Sequence, residues 1–330
     1  MKPGVIGLLL ASAGIALCSM VWAADSSPLV LEAKIALGNV SGRIDHLSID
    51  LGRQRLFVAE LGNNSVGVVD LKERKLVRRI AGFKEPQGVG YVASTDTLYV
   101  SNAGDGSVRL FQGTDLSPTG HIDLGDDADN IRIDARTNKV FIGYGKGAIA
   151  IIDPVKRAKI SDVRLDGHPE GFQLDASGTK IFVNVPNARQ IAVMDLLLGK
   201  VAKTLPMIDA RANFPMAVDH QRERILSVFR NPAKLIAFGV RDGTVLASIT
   251  ICGDADDVFV DPKRHRVYIS CGEGFIDVFE TTVAGYSRIG HVSTASGTRT
   301  SLWVPELDRL FVAVRATGAE PPAIWVFRPE

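Results

Sequence analysis

The sequence lacks the motifs that usually identify a catalytic or cofactor-binding chain. Only three of its 330 residues are cysteines, and no Cys-x-x-Cys-His stretch for covalent haem attachment occurs. There is also no Gly-x-Ser-x-Gly elbow of a serine hydrolase and no His-Glu-x-x-His stretch of a zinc protease. These absences disfavour well-known chemistries.

The chain also lacks an excess of charge of one sign. It has 38 Lys and Arg against 37 Asp and Glu, which gives a formal net charge of +1. Binding of nucleic acids or of anionic membrane surfaces depends on a strongly basic field. The sequence therefore predicts no nucleic acid partner.

Long hydrophobic runs are absent except at the N-terminus. Residues 1–23 begin with one lysine, continue with an apolar run over 5–21 and end with the small residue Ala23. This pattern predicts a Sec-type signal peptide, a periplasmic or secreted protein, and no membrane insertion after cleavage. An uncleaved anchor is the alternative, although the run is short for a spanning helix. Cys18 is a candidate for lipid attachment, but such a site requires a small residue directly before the cysteine, and that position holds Leu17.

A short strand pattern, in contrast, recurs seven times along the rest of the chain. These anchor strands begin 41 to 44 residues apart and read LFVAE at 56, LYVSN at 98, VFIGY at 140, IFVNV at 181, ILSVF at 225, VYISC at 267 and LFVAV at 310. A period in the low forties without amphipathic helices is typical of the four-stranded blades of a β-propeller. We therefore predict an all-β fold, with residues 24–330 forming a single seven-bladed propeller.

Each anchor has neighbours of strand character on both sides in sequence. An inner strand precedes it, such as HLSID from 46 or NIRID from 130, and a third strand follows about ten residues after it starts, such as VGVVD at 66. The seventh repeat stops after its third strand, IWVFR at 324. We expect residues 29–38 to supply the missing outer strand, so that the N-terminal strand closes the ring and removes an open edge.

Two further sets of residues point to local structure. Cys252 and Cys271 fall at the same rim of the sixth repeat, so a disulfide is predicted there, with two free thiols as the alternative. Aspartates stand at equivalent turn positions, where their side chains can bond the backbone of the turn that follows. They are Asp50, Asp134, Asp175, Asp219 and Asp261.

The repeats resemble the YVTN family of β-propeller repeat proteins. The resemblance rests on LYVSN at 98 and its near copies, on the entries EPQGVGY from 85 and HPEGFQL from 168, and on strand endings such as IAIID. That family is similar to seven-bladed lactonase-like propellers and to the haem d1 domain of nitrite reductase. The resemblance covers the chain after residue 23 and implies the fold, but it does not determine an activity.

Candidate binding residues lie where the inner strands begin, because equivalent positions of all repeats converge at one mouth of a propeller tunnel. We predict that a protein, peptide or small molecule binds there. The predicted ligand-binding residues are Asp45, His46, Asp129, Asn130, Glu170, Arg211, Arg230, Asp256, Asp257, Arg299 and Arg315.

Three interpretations of this mouth remain open at the level of sequence. A non-enzymatic binding or scaffold module is the leading one. The alternative to any functional role is that the acids pair with Arg43, Arg211, Arg299 and Arg315 across a solvated mouth, which needs no ligand. In a lactonase-like hydrolase, a divalent cation such as Ca²⁺ would bind Asp45, Asp129, Glu170 and Asp256, with His46 or His168 as a base. The third is a carrier of a redox cofactor such as haem d1. No cofactor is assigned by the sequence.

Overall fold

The computed structural model describes Met1, Gly4 and residues 27–207, 209–283 and 285–330. The predicted signal peptide, residues 1–23, lies outside these ranges apart from Met1 and Gly4. Within the ranges described, no helix combines the length and the apolar character that crossing a membrane requires.

Seven antiparallel four-stranded sheets form the blades of a propeller. From the inner strand outward, blade 1 contains β2 (Leu47–Asp50), β3 (Arg55–Glu60), β4 (Ser65–Asp70) and β5 (Lys75–Ala81); blade 2 contains β6 (Pro86–Val92), β7 (Thr97–Asn102), β8 (Ser107–Gln112) and β9 (Pro118–Asp123); blade 3 contains β10 (Ala128–Ile133), β11 (Val140–Tyr144), β12 (Ala148–Asp153) and β13 (Ala158–Arg164). Blade 4 contains β14 (Phe172–Leu174), β15 (Lys180–Val185), β16 (Gln190–Asp195) and β17 (Lys200–Pro206); blade 5 contains β18 (Arg211–Asp219), β19 (Arg224–Asn231), β20 (Ala233–Gly239) and β21 (Val245–Thr250). Blade 6 contains β22 (Ala255–Asp261), β23 (Arg266–Cys271), β24 (Phe275–Thr282) and β25 (Gly285–Ser293), and blade 7 contains β26 (Ser301–Val304), β27 (Arg309–Val314), β28 (Ala323–Pro329) and β1 (Leu29–Ala36).

The N-terminal strand closes the ring, as the sequence predicts. β1 pairs antiparallel with β28 from Leu29 opposite Pro329 to Ala36 opposite Ala323, and so becomes the outer strand of blade 7. Each inner strand contacts the next one around the ring, and the last contact, between β26 and β2, completes the circle. The two ends of the chain are therefore joined within one sheet.

The hydrophobic core lies between the blades. Each pair of neighbouring blades encloses an apolar cluster; between blades 1 and 2, for example, Phe57, Val68, Leu98 and Val100 are almost completely buried. The anchor strands are apolar at consecutive positions because both of their faces are covered by neighbouring blades. The seven repeats thus stabilise one another, and none has a core of its own.

Turn aspartates and the cysteines occupy structural positions. The Asp50 carboxylate accepts the backbone N–H of Arg53 at 3.1 Å, and the other four turn aspartates likewise accept backbone N–H groups of their turns. This confirms their structural role. Cys252 and Cys271 are joined by a disulfide, with their Cα atoms 5.9 Å apart, at one rim of blade 6.

Candidate functional site

The entrances of several inner strands carry a register shift that turns two consecutive residues toward the tunnel. In blade 3, Ala128 pairs with Tyr144 and Ile131 with Ile142, so that Asp129 and Asn130 together face one residue of β11. Comparable shifts occur at the entrances of blades 2, 5 and 6. A bulge of this kind redirects side chains and is common next to binding sites.

A cavity of about 200 Å³ lies at this mouth, and every blade or the loop leading into it contributes to its wall. The charged and polar lining comprises Arg43, Asp45 and His46 from blade 1, Gln87 from blade 2, Asp127, Asp129, Asn130 and Arg132 from blade 3, His168, Glu170 and Gln173 from blade 4, Arg230 from blade 5, Asp256 and Asp257 from blade 6, and Arg299 from blade 7. Phe214 and Phe259 are its aromatic residues.

The wall formed by blades 5 to 7 is a closed network of arginines and carboxylates. Arg230 donates to Asp256 and to the Ala255 carbonyl, and its Nε lies 3.3 Å from Asp254. Arg299 lies 2.9 Å from both Asp254 and Asp256. The Arg230 guanidinium also stacks on the Phe214 ring, 4.0 Å from its centroid. Both arginines are therefore already paired.

The wall of blades 1 and 2 is also paired internally. Arg43 donates to the buried Asp45 carboxylate and, at 3.1 Å, to Gln87 Oε1. On the other side of Asp45, His46 Nε2 lies 3.8 Å from the second carboxylate oxygen.

Blades 3 and 4 form an acidic wall with one histidine. His168 Nδ1 donates to the Gly145 carbonyl at 2.7 Å and lies 3.5 Å from Asp127, while its Nε2 lies 3.7 Å from Asp129. Although burial opposes a charged imidazole, the nearby Asp129 carboxylate, the hydrogen bond to the Gly145 carbonyl and the charge of Asp127 raise the pKa of His168 to about 9. His168 is therefore a cation held between two aspartates.

Glu170 is a carboxyl of this wall that keeps its proton at neutral pH. Burial, followed by the negative charge of Asp129, raises the pKa of Glu170 to about 8. Among the residues that the structure describes, the Glu170 carboxyl has no hydrogen-bond or ion-pair partner. At neutral pH it is a protonated acid that faces the cavity.

Deeper in the tunnel, a waist separates this cavity from a second one of about 280 Å³. The residues that line both cavities are His46, Arg132, Gln173, Asp257 and Phe259. Burial raises the pKa of Asp257 to about 7 and lowers that of Arg132. His46 has a raised pKa despite burial, because Asp45 and Asp257 lie close to it.

Nine of the eleven predicted binding residues line the mouth cavity. Arg211 does not, because it pairs with Asn231 at the outer end of the β18–β19 ladder and is exposed. Arg315 is exposed as well, and its guanidinium covers Gly297. Counting back from the anchor strands located the strand entrances well, but it could not show which way the flanking loops turn.

The four predicted metal ligands share the cavity without forming a compact ligand set. Asp45, Asp129, Glu170 and Asp256 all line it, yet among the described residues no group of three or more His, Cys, Asp or Glu side chains could hold a metal ion. Asp45 and Asp256 are instead engaged by arginines. This arrangement favours ion pairing within the wall.

Sequence reasoning missed Asp127, Arg132, Gln173 and Phe259. Three of these follow a tunnel-facing residue by two positions: Arg132 follows Asn130, Gln173 follows Gly171, and Phe259 follows Asp257. Because alternate residues of a strand share a face, a period of two from each strand entrance was the signal that could have found them. Asp127 lies in a loop and had no such signal.

The fold and the axial cavity together define a seven-bladed β-propeller with a polar tunnel mouth. No protein-family model matches the chain, and no curated protein matches it. Among solved structures, it is similar to a chain of Kuenenia stuttgartiensis hydrazine synthase, with a TM-score of 0.73 and 16% sequence identity; the match covers 84% of this chain and 95% of that chain. At this identity the similarity shows the fold alone.

Proposed function

We propose that the protein is an exported, YVTN-type β-propeller that acts as a binding module, with its ligand at the tunnel mouth. The observation that carries this proposal is the axial cavity, to which all seven blades contribute charged, polar or aromatic side chains. Concave sites where a few polar groups converge are the usual places for small ligands. At about 200 Å³, the cavity suits a small molecule or one protruding side chain of a peptide or protein.

The composition of the lining supports binding rather than covalent catalysis. None of the described lining residues is a Ser, Thr, Cys, Tyr or Lys, so hydroxyl, thiol and amine nucleophiles are missing from the wall. Arg43, Arg230 and Arg299 are each held by a carboxylate. Such pairing fixes the shape of the mouth before a ligand arrives, which lowers the cost of ordering on binding.

A screen of small polar probes tests this function. Thermal unfolding of the full chain is followed with alkylammonium, carboxylate, zwitterionic and uncharged probes, using the wild type and the Asp129→Ala, Asp256→Ala double variant. We expect at least one probe to raise the midpoint by a few degrees in the wild type alone, roughly 1 kcal/mol of linkage for a domain of this size. A Glu73→Gln, Glu223→Gln variant, which changes two exposed acids, serves as the control. If no probe gives a shift that depends on the mouth, the proposal is wrong.

A lactonase-like hydrolase is the second candidate. It is favoured by one observation, the protonated Glu170 beside the histidine-linked Asp129, because carboxyl groups in different protonation states can divide acid and base roles. Hydrolysis of simple lactones and esters with and without calcium chloride tests it, together with elemental analysis. One bound divalent ion that is lost in Glu170→Ala, with turnover, would favour the hydrolase over the binding module.

A haem d1 group does not fit the residues present. The mouth cavity of about 200 Å³ is smaller than the roughly 300–1,000 Å³ of pockets for drug-sized ligands. His168 is also already bonded to the Gly145 carbonyl through one nitrogen and faces Asp129 with the other. We therefore assign no redox cofactor to this mouth.

A further inference from the structure

Two buried oxygen atoms at the entrance of blade 3 have no hydrogen-bond partner among the residues that the structure describes. They are Oδ1 of Asp129 and Oδ1 of Asn130, whose residues are 6% and 4% exposed. Both residues line the mouth cavity, because the register shift in β10 turns them to the same side. A buried polar atom without a partner costs about 1–3 kcal/mol. These two oxygens therefore need hydrogen-bond donors that the described residues do not supply.

Glu170 lies beside this place, and its carboxyl has no hydrogen-bond or ion-pair partner among the described residues. Glu170 is faced by Asp129 on β10, by Asp256 on β22, by Arg230 on β19 and by His168 on its own loop. Arg230 is committed to Asp256 and Asp254, and His168 to Gly145 and the two aspartates of blade 3. Burial and the negative charge of Asp129 hold the proton on Glu170, since neither of these two cations is free to pair with it.

Phe214, one of the two aromatic residues of the mouth, is already in contact with a cation. The face of Phe214 is covered by the Arg230 guanidinium at 4.0 Å. Quaternary ammonium ions are recognised by open aromatic faces, and this mouth offers none on Phe214. Its unpartnered groups are acceptor oxygens, which select a cation with N–H donors.

We propose that the mouth selects a small organic cation with N–H donors, a primary ammonium or a guanidinium group, and holds it between Asp129, Asn130 and Glu170. This inference rests on the proposed function and names its ligand class. The cation donates to the Asp129 and Asn130 oxygens and pairs with the Glu170 carboxylate, whose proton leaves to solvent as the cation enters. One positive charge enters the site and one leaves it, so the net charge of the site does not change.

Titration calorimetry and proton counting with matched probes test this proposal. Propylammonium and methylguanidinium are compared with tetramethylammonium, which has the charge but no donors, with propionate and with calcium chloride. We expect the first two to bind, tetramethylammonium to bind at least tenfold more weakly, and propionate and calcium not to compete. In lightly buffered solution near pH 7, about one proton is released for each cation bound.

Two conservative variants connect binding to these residues. Glu170→Gln keeps the shape but has no proton to lose, so proton release disappears and affinity falls about tenfold. Asp129→Asn removes a charge-assisted acceptor and weakens binding by tenfold or more. Glu223→Gln, an exposed acid in the β18–β19 turn, is the matched control and leaves both readouts unchanged.

The outcomes separate this inference from the proposed function. If propionate or calcium binds at the mouth and neither propylammonium nor methylguanidinium does, the assignment of an N–H cation is overturned. The proposal of a binding module is then unaffected. Equal binding of tetramethylammonium, or undiminished proton release by Glu170→Gln, also overturns the assignment of an N–H cation. A blocked lysine tripeptide tests whether the ammonium group belongs to a small molecule or to a polypeptide. If the tripeptide binds more tightly than propylammonium, the ligand is a polypeptide side chain, and the proposal of a small organic cation is overturned.

Discussion

The guanidinium of Arg264 in blade 6 binds the carboxylate of Asp308 in blade 7 through two parallel hydrogen bonds, each 2.6 Å long. Arg264 is oriented by the turn aspartate of its own blade, Asp261, at 3.1 Å. Between blades 1 and 2 the same relationship recurs, where Asp50 orients Arg53 toward Asp96. The turn aspartates thus link neighbouring blades as well as shaping their own turns.

Removal of the Arg264 side chain is expected to weaken the junction of blades 6 and 7. Arg264→Ala leaves Asp308 without its bidentate partner, and we expect a loss of about 1–3 kcal/mol in the free energy of unfolding. Urea denaturation of the purified chain measures it. The control is Arg241→Ala, since Arg241 is 82% exposed and pairs with a largely exposed glutamate; its effect should stay within about 0.5 kcal/mol. Equal effects would contradict a role for the inter-blade link.

The period of the sequence predicted the ring, its closure and the entrances of the inner strands, because packing between blades forces every repeat into one strand pattern. It did not predict the links between blades, although an Asp-x-x-Arg spacing recurs at Asp50, Asp219 and Asp261. Side-chain direction was the other limit. The bulge that turns Asp129 and Asn130 to one side depends on the partner strand, and the period alone does not describe it.

Deletion of the N-terminal strand is expected to open the ring. Without residues 1–36, β28 keeps β27 but loses its outer partner β1, and it presents an unpaired apolar edge, which favours association with other chains. Glu32 on this strand also pairs with Arg74 of blade 1 and Arg309 of blade 7. We expect a lower unfolding midpoint and soluble aggregates in size-exclusion chromatography. A chain that lacks only residues 1–26 is the control, and it should remain monodisperse; identical behaviour of the two chains would refute closure by β1.

Loss of the Cys252–Cys271 disulfide is expected to destabilise blade 6 without disturbing the mouth. The bond closes a loop with a sequence separation of 19 residues, for which chain-entropy estimates give about 3 kcal/mol. Cys252→Ala, Cys271→Ala should therefore lower the free energy of unfolding by roughly 2–4 kcal/mol. Reduction of the wild type should reproduce that loss, and the double variant should be insensitive to reductant. A wild type whose unfolding does not respond to reductant would contradict this prediction.

Stability is expected to fall as the pH rises from 5 to 9. Glu170 and Asp257 have raised pKa values, so the folded chain binds protons that the unfolded chain has released. The raised pKa values of His46 and His168 act with the same sign, because their bound protons are also lost as the pH rises through the folded pKa. By linkage, the histidine contributions are complete at pH 5, the carboxyl contributions are complete only below about pH 4, and all of them are lost toward pH 9.

Glu170→Gln tests the origin of this pH dependence, since glutamine imitates the protonated acid and does not titrate. We expect equal stability of the variant and the wild type near pH 4, and an advantage of about 2 kcal/mol for the variant at pH 9. The expected difference is smaller than the free energy obtained by converting the whole pKa shift at about 1.4 kcal/mol per unit. The Glu170 side chain is only partly buried, so water solvates part of the charge. Urea denaturation at several pH values measures the difference, with Glu223→Gln as the control. If the two variants follow the same pH profile, the proton is not held at Glu170, and the acidic wall of blades 3 and 4 is already neutralised by another group.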